Sequence, residues 1–215
     1  MAMPTTVLLI RHPESDWNQR GIYQGQKDIP LSRLGQAQAR LVADRLRRER
    51  IRGVVCSPLQ RARALAHAIA HHHALHPTPD HRLTEISHGE WEGLSRDEVK
   101  RRFPEQYQTW LERPHAVSFP GGESLHDVHE RSVPPIADLL ARPDDGTWVV
   151  VTHDTVARLV LAAARQQPVV GFSSVSVENG GITALVGPTL VGSVRYVNDV
   201  DHLAGHRVSL DGQAL

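Results

Sequence analysis

Val7-Leu8-Leu9-Ile10-Arg11-His12-Pro13-Glu14-Ser15-Asp16-Trp17-Asn18 is an apolar run that stops abruptly at a cation beside an imidazole. A bounded apolar run of this length reads as a buried strand, and strand side chains point alternately to opposite faces, so Arg11 and His12 cannot share a ligand while the strand continues. Pro13 ends it: proline has no N–H for a ladder and holds the preceding residue extended. His12 is therefore expected at or just past the carboxyl end of a strand, where open α/β sheets bind ligands. Taken alone, the same residues also fit a strand that merely ends in a basic dipeptide.

Outward from this stretch, β-α units recur. Ser32 is a plausible N-cap, and Leu34, Ala37, Leu41, Val42 and Leu46 recur at helical spacing through Arg48. Gly53-Val54-Val55-Cys56-Ser57-Pro58 reads as a second strand ended by proline, followed by an alanine-rich helix from Leu59 to His73. That helix carries Arg61 in its first turn, where a cation opposes the macrodipole, which points to a nearby anion or else to simple solvation. Thr147 to Thr152 forms another buried strand, ending in His153 and running into a helix from Val156 to Ala164. Asn179-Gly180-Gly181 predicts a hairpin joining Val175–Val177 to Ile182–Val186, Ser193 to Asn198 an added edge strand, and the residues from His202 a loosely held tail. Between the second and third units lie a carboxylate-rich loop, Leu83 to Leu94, and a stretch from 95 to 122 interrupted by Pro104, expected as a cap-like excursion rather than core. Pro134-Pro135 is expected to kink or split the helix from Leu125 to Leu140.

Bulk properties narrow the classes of function. The 215 residues and 40% hydrophobic content suit one α/β domain spanning 1–215. Lys+Arg 24 balances Asp+Glu 24, so no net field points to nucleic acid or an anionic membrane, and an anionic ligand needs locally placed cations. The single Cys56 cannot form an internal disulfide, no apolar run is long enough to span a membrane, and no leader is evident, which predicts a cytoplasmic protein. Residues His71, His72, His73, His76 and His81 crowd one helix end without a carboxylate or thiolate at ligand spacing, so a polar helix end is expected there and no metal.

Three strand ends thus offer Arg11 with His12, Arg61, and His153. With these pieces the chain resembles the histidine phosphatase superfamily, which contains the cofactor-dependent phosphoglycerate mutases and many small phosphatases. The resemblance covers nearly the whole chain, through Arg11-His12 with Glu14, Trp17 and Asn18; Gln24-Gly25; Asp28, Pro30-Leu31 and Gly35; and Ser57-Pro58-Leu59 with Arg61-Ala62. It continues through Leu83, Glu85, Gly89 and Trp91-Glu92-Gly93; Gly121-Gly122-Glu123-Ser124; and Val151-Thr152-His153. It implies a three-layer α/β/α fold with a mostly parallel central sheet and a site at its carboxyl edge.

The roles implied by the resemblance suit the residue types. His12 is the nucleophile, which needs one unprotonated ring nitrogen. Arg11 and Arg61 clamp the phosphate oxygens with fork geometry, Asn18 adds a donor, and His153 binds oxygens as charge shifts in the transition state. Glu85 is the general acid, and Gln24 and Gly25 line the substrate. No cofactor or metal is implied, the partner is a small phosphorylated metabolite, and homodimers are common in the family. Hydrolysis of a phosphomonoester of sugar phosphate or phosphoglycerate type is the favoured activity, because Glu85 to Gly93 looks like the phosphatase branch. A mutase-like phosphotransferase is the alternative, as is a phospho-ligand binding protein whose catalysis is lost. That loss would trace to two departures: Pro13 and Asp154 each stand where the family tends to have glycine. Asp154 reads either as an N-cap or as a carboxylate close to the phosphate.

Overall fold

The computed structural model describes residues 4–143, 146–167, 169–210 and 213–214. The amino-terminal residues read for a leader, and positions 211–212 and 215 of the expected tail, lie outside the described residues. In chain order the elements are β1 (Thr6–Arg11), α1 (Asp16–Gln19), α2 (Arg33–Leu46), β2 (Ile51–Cys56), α3 (Gln60–His71), β3 (Thr78–Pro79), α4 (Arg96–Arg102) and α5 (Pro104–Glu112). They continue with α6 (Leu125–Leu140), β4 (Thr147–Thr152), α7 (Asp154–Ala164), β5 (Ile182–Val186) and β6 (Val194–Asp199). The sheet order is β3-β2-β4-β1-β5-β6, parallel from β3 through β1 and antiparallel at β5 and β6. This is the expected mostly parallel α/β sheet.

Alternation along the central strands assigns the layers. Leu8 and Ile10 of β1, with Val149 and Val151 of β4, pack beneath Val42, Ala43 and Leu46 of α2 and Leu65, Ala66 and Ile69 of α3. Val7, Leu9 and Val150 face the other way, into a larger cluster with α6 and α7. Two apolar faces on fully buried strands require helices on both sides, hence three layers.

The structure corrects several expectations. The stretch from 95 to 122 is not set apart from the core: Val99, Tyr107, Trp110, Val117 and Phe119 belong to the larger core cluster with Leu9 and Val150. Its aromatic rings interlock, with Trp91 and Phe119 at 4.9 Å and Trp110 and Phe119 at 5.2 Å between centroids. Pro134 and Pro135 sit within one continuous helix, α6, rather than splitting it. Val175–Val177 form no strand, because β5 pairs instead with β1 and with β6. Among the described residues from His202, three are anchored: Leu203 is fully buried in the α2–α3 layer, and Gln213 and Ala214 are buried as well. No helix among the described residues is long and apolar enough to cross a membrane.

Candidate active site

Strand order brings the two histidines together. β1 and β4 are parallel neighbours with Arg11 opposite Thr152, so the residues that follow them, His12 and His153, leave the sheet side by side. Their ring centroids lie 5.0 Å apart, edge to face. His12 N donates to the Thr152 carbonyl at 2.8 Å, which carries the ladder one residue beyond β1 before Pro13 ends it. Both rings are almost fully buried.

The His12 tautomer follows from its partner. Nδ1 lies 2.6 Å from the Pro13 carbonyl oxygen, which can only accept, so the proton sits on Nδ1 and Nε2 carries the lone pair. Burial holds the His12 pKa well below the usual histidine range, the nearby charges of Arg61 and Arg11 depress it further, and the Pro13 carbonyl opposes both weakly. His153 is shifted the same way by burial and then by Arg61. Its Nε2 is 2.8 Å from Ser57 Oγ, and its Nδ1 is buried without a partner. Ser57 is in place because it follows β2 on the other flank of β4, with its N–H on the Val151 carbonyl at 3.0 Å.

Two guanidinium groups flank His12. Arg61 donates to the carbonyls of Lys27 at 2.7 Å and Gly25 at 2.8 Å. The helix that presents it, α3, has Leu59 at its N-cap, whose side chain makes no cap bond; Asp28 Oδ1 accepts from Gln60 N at 2.7 Å instead. Arg11 donates to the Val177 carbonyl at 2.8 Å and to Gln213 Oε1 at 2.6 Å, and pairs with Asp154 at 3.3 Å. In both arginines Nε is buried without an acceptor. A buried donor left unpaired is costly, and two such arginines lining the same cavity as His12 mark a place for an anion.

Across the cavity stands Glu85. Burial and the neighbouring Asp154 charge raise its pKa above the usual carboxylate range, against the Ile86 N–H at 2.9 Å and the charge of Arg61. Asn18 belongs to the capping box that starts α1, and its Nδ2 donates to Gln213 Oε1 at 3.2 Å. Gln24 is 2.7 Å from the Ser15 hydroxyl. Arg11, His12, Asn18, Gln24, Gly25, Arg61 and Glu85 thus line one cavity, and His153 backs it through its contact with His12.

Two residues here, Gln213 and Asn179, escaped the sequence reading as site residues, and the two readings of Asp154 are separated: it lines the cavity as a carboxylate. Asp154 is the first residue of α7, and His153 takes the cap position; the Asp154 carboxylate bridges Arg11 and, at 3.2 Å, Arg158. It is a charge partner and not an N-cap. Gln213, from the expected tail, presents its amide oxygen to Arg11 and Asn18 and its Nε2 to Asn179 Oδ1 at 2.8 Å. Asn179, read as a hairpin turn, donates to the His12 carbonyl at 3.0 Å. No local signal marks Asn179 or Gln213, since their partners lie far away in sequence; Asp154 was visible only as a departure from glycine.

A family model now matches this frame: that of the histidine phosphatase superfamily (branch 1), over residues 7–199. The chain belongs to the histidine phosphatase superfamily. Phosphoserine phosphatase 1 of Hydrogenobacter thermophilus is 36% identical over 179 residues, 83% of this chain and 85% of that protein. A 2,3-bisphosphoglycerate-dependent phosphoglycerate mutase of a Methylobacterium species is 33% identical over 156 residues, 69% and 74% of the two chains. The solved structure of mycobacterial glucosyl-3-phosphoglycerate phosphatase superposes with a TM-score of 0.81 at 28% identity, covering 92% of this chain and 99% of that one. This histidine phosphatase is a phosphoric monoester hydrolase, on the phosphatase side of the superfamily.

Proposed function

We propose that this enzyme hydrolyses the phosphomonoester of a small polar metabolite, without a metal, through a phosphohistidine at His12. One observation carries the reading: the Pro13 carbonyl fixes the His12 proton on Nδ1 and leaves Nε2 unprotonated between two buried guanidiniums. Nε2 attacks phosphorus, the bond to the ester oxygen breaks, and the leaving alcohol takes the proton of Glu85. The resulting Glu85 carboxylate then accepts a proton from water as that water attacks the phosphohistidine, which restores both groups. Arg11, Arg61, Asn18 and His153 bind the phosphoryl oxygens and supply the positive charge that a metal provides elsewhere. Phosphate binding replaces the Gln213 amide oxygen on Arg11 and Asn18, because that oxygen occupies the donors the phosphoryl group would take.

The departure at Pro13 spares this chemistry. Proline lacks the N–H of glycine but keeps the carbonyl, and the carbonyl is what orients His12. For the leaving group, the relatives named for phosphoserine and glucosyl-3-phosphoglycerate support a sugar phosphate or phosphoglycerate type of substrate. His88 suits such a group: it lines the cavity, and both of its buried ring nitrogens are unpartnered.

The test is trapping. Purified enzyme mixed with phosphate-labelled substrate and quenched in base should retain acid-labile label on the protein, and His12→Ala should retain none and release no phosphate. Activity should persist in EDTA. Turnover by His12→Ala, or loss on chelation with recovery on adding a metal, would overturn the reading.

A further inference from the structure

The mechanism leaves the Gly121-Gly122-Glu123-Ser124 turn without a task, yet it lies directly against the loop that carries Glu85. Glu123 N donates to the Ser87 carbonyl at 2.9 Å, and Ser87 N donates back to Glu123 Oε2 at 2.9 Å. A β-carbon on Gly122 would collide with the Ser87 carbonyl, and one on Gly89 with the Pro120 carbonyl, so the two backbones touch where side chains are excluded.

Arg131, on the second turn of α6, completes the contact. Its Nε and Nη2 grip Glu123 Oε1 and Oε2 at 2.7 and 2.9 Å. Nη1 donates to the carbonyls of Arg82 and Thr84, both at 2.8 Å, and Nη2 to that of Glu85 at 3.1 Å. All five guanidinium N–H groups therefore have an acceptor. The intervening Leu83 carbonyl accepts from Thr152 Oγ1 at 2.8 Å. Four consecutive carbonyls ending at Glu85 are thus held, three of them by one side chain. Gln26 extends the grip: its Nε2 donates to the Glu85 carbonyl at 3.2 Å and to Glu123 Oε2 at 3.3 Å. Gln26 also lies between Gly25 and Lys27, whose carbonyls hold Arg61.

We propose that Arg131 and Glu123 are positioning residues for Glu85, a clasp that fixes the backbone of the acid loop so that the Glu85 carboxyl meets the leaving oxygen. This rests on the reading of Glu85 as the proton donor. A lysine could not replace Arg131, because three rotating donors on one nitrogen cannot span a carboxylate and three carbonyls. The clasp touches neither His12 nor Arg11, reaches Arg61 only through the backbone beside Gln26 and His153 only through the charge of Arg131, so its loss acts chiefly on proton donation.

Two measurements test it. Hydrogen exchange reads the loop directly: in Glu123→Gln and in Arg131→Gln, peptides covering 84–88 should exchange faster than in the parent while those of β1 and β4 do not change. Rapid-quench kinetics reads the chemistry with two substrates. Phosphohistidine formation in Arg131→Gln should slow by about tenfold or more with phenyl phosphate and by less than about threefold with p-nitrophenyl phosphate, whose phenolate leaves without a proton. Inhibition by inorganic phosphate should stay within about twofold of the parent, since its donors are intact. Adding Arg131→Gln to Glu85→Gln should cost nothing further on phenyl phosphate, because both changes act through one group. Unchanged loop exchange, equal losses on both substrates, or an additive double variant would each overturn the clasp. If Arg131→Gln does not fold, Glu123→Gln, which keeps its shape, carries the same measurements. If the parent forms no phosphohistidine, the catalytic reading fails, and the exchange experiment still decides the clasp.

Discussion

Glu85 shows how one side chain is tuned by what surrounds it. Its carboxyl is nearly buried beside Asp154, and both factors favour the protonated form, while the Ile86 N–H and Arg61 pull the other way. The Glu85 shift favours the protonated acid and the His12 shift the unprotonated nucleophile. The pair is set apart in the sense that acid–base catalysis requires. Glu85→Gln should therefore slow phosphohistidine formation by about 10²-fold to 10⁴-fold with an alkyl phosphate and far less with p-nitrophenyl phosphate. The alkaline limb of kcat/KM, where Glu85 loses its proton, should vanish in the same variant. Retention of that limb would assign the ionisation elsewhere. Glu90, the neighbour most easily confused with Glu85 in sequence, is exposed and lies outside the cavity.

At the scale of elements, helix starts and strand ends do the positioning. β2, β4 and β1 lie side by side, so Ser57, His153 and His12 emerge in a row from their carboxyl ends. Arg61 joins them only if α3 begins in the right place. That helix has no cap of its own; Asp28 supplies one from the preceding loop through the Gln60 N–H. Removing an exposed cap of this kind costs about 1 kcal/mol, so Asp28→Ala should lower the melting temperature by roughly 2–4 °C. Because Arg61 is the next residue, activity at low substrate should fall as well, mainly through KM. An unchanged melting temperature would show that the first turn of α3 is held by packing alone.

Across the described residues, four imidazoles have depressed pKa values: His12, His153 and His88, which are fully buried, the last pushed down to about 3 by burial, and the partly buried His202. In the unfolded chain each titrates near 6.5, so below that pH the unfolded state binds protons that the folded state refuses. Their contribution to stability is complete above about 6.5 and is lost as pH falls toward the folded values. Glu85 has the opposite sign, since a raised carboxyl favours the fold below the usual carboxylate pKa and loses that contribution as pH rises. Denaturant unfolding should therefore show stability falling from neutral pH toward pH 5. His88→Gln should flatten that slope by close to one proton, about 1.4 kcal/mol per pH unit between roughly pH 4 and 6. An unaltered slope would mean that His88 is protonated in the fold.

What could be read along the chain was whatever local chemistry writes locally. Bounded apolar runs marked β1 and β4, Pro13 stopped a strand at His12, Ser32 capped α2, and Arg11, His12, Arg61 and His153 could be placed at the ends of elements, with Glu85 in the loop between them. Such signals survive because they depend on the backbone within a few residues. The pairings across the fold left no such mark. Asp154 meets Arg11 across 143 positions, Gln213 meets Arg11 across 202, and Arg131 reaches back 46 to Glu85. The stretch from 95 to 122 looked peripheral because Pro104 interrupts it, and only assembly showed its apolar residues in one core cluster with Trp91 and Leu9. The sequence by itself determined the elements and the reactive groups at their ends; tertiary structure alone decided which groups meet, because a side chain's partner is set by strand order and helix packing and not by distance along the chain.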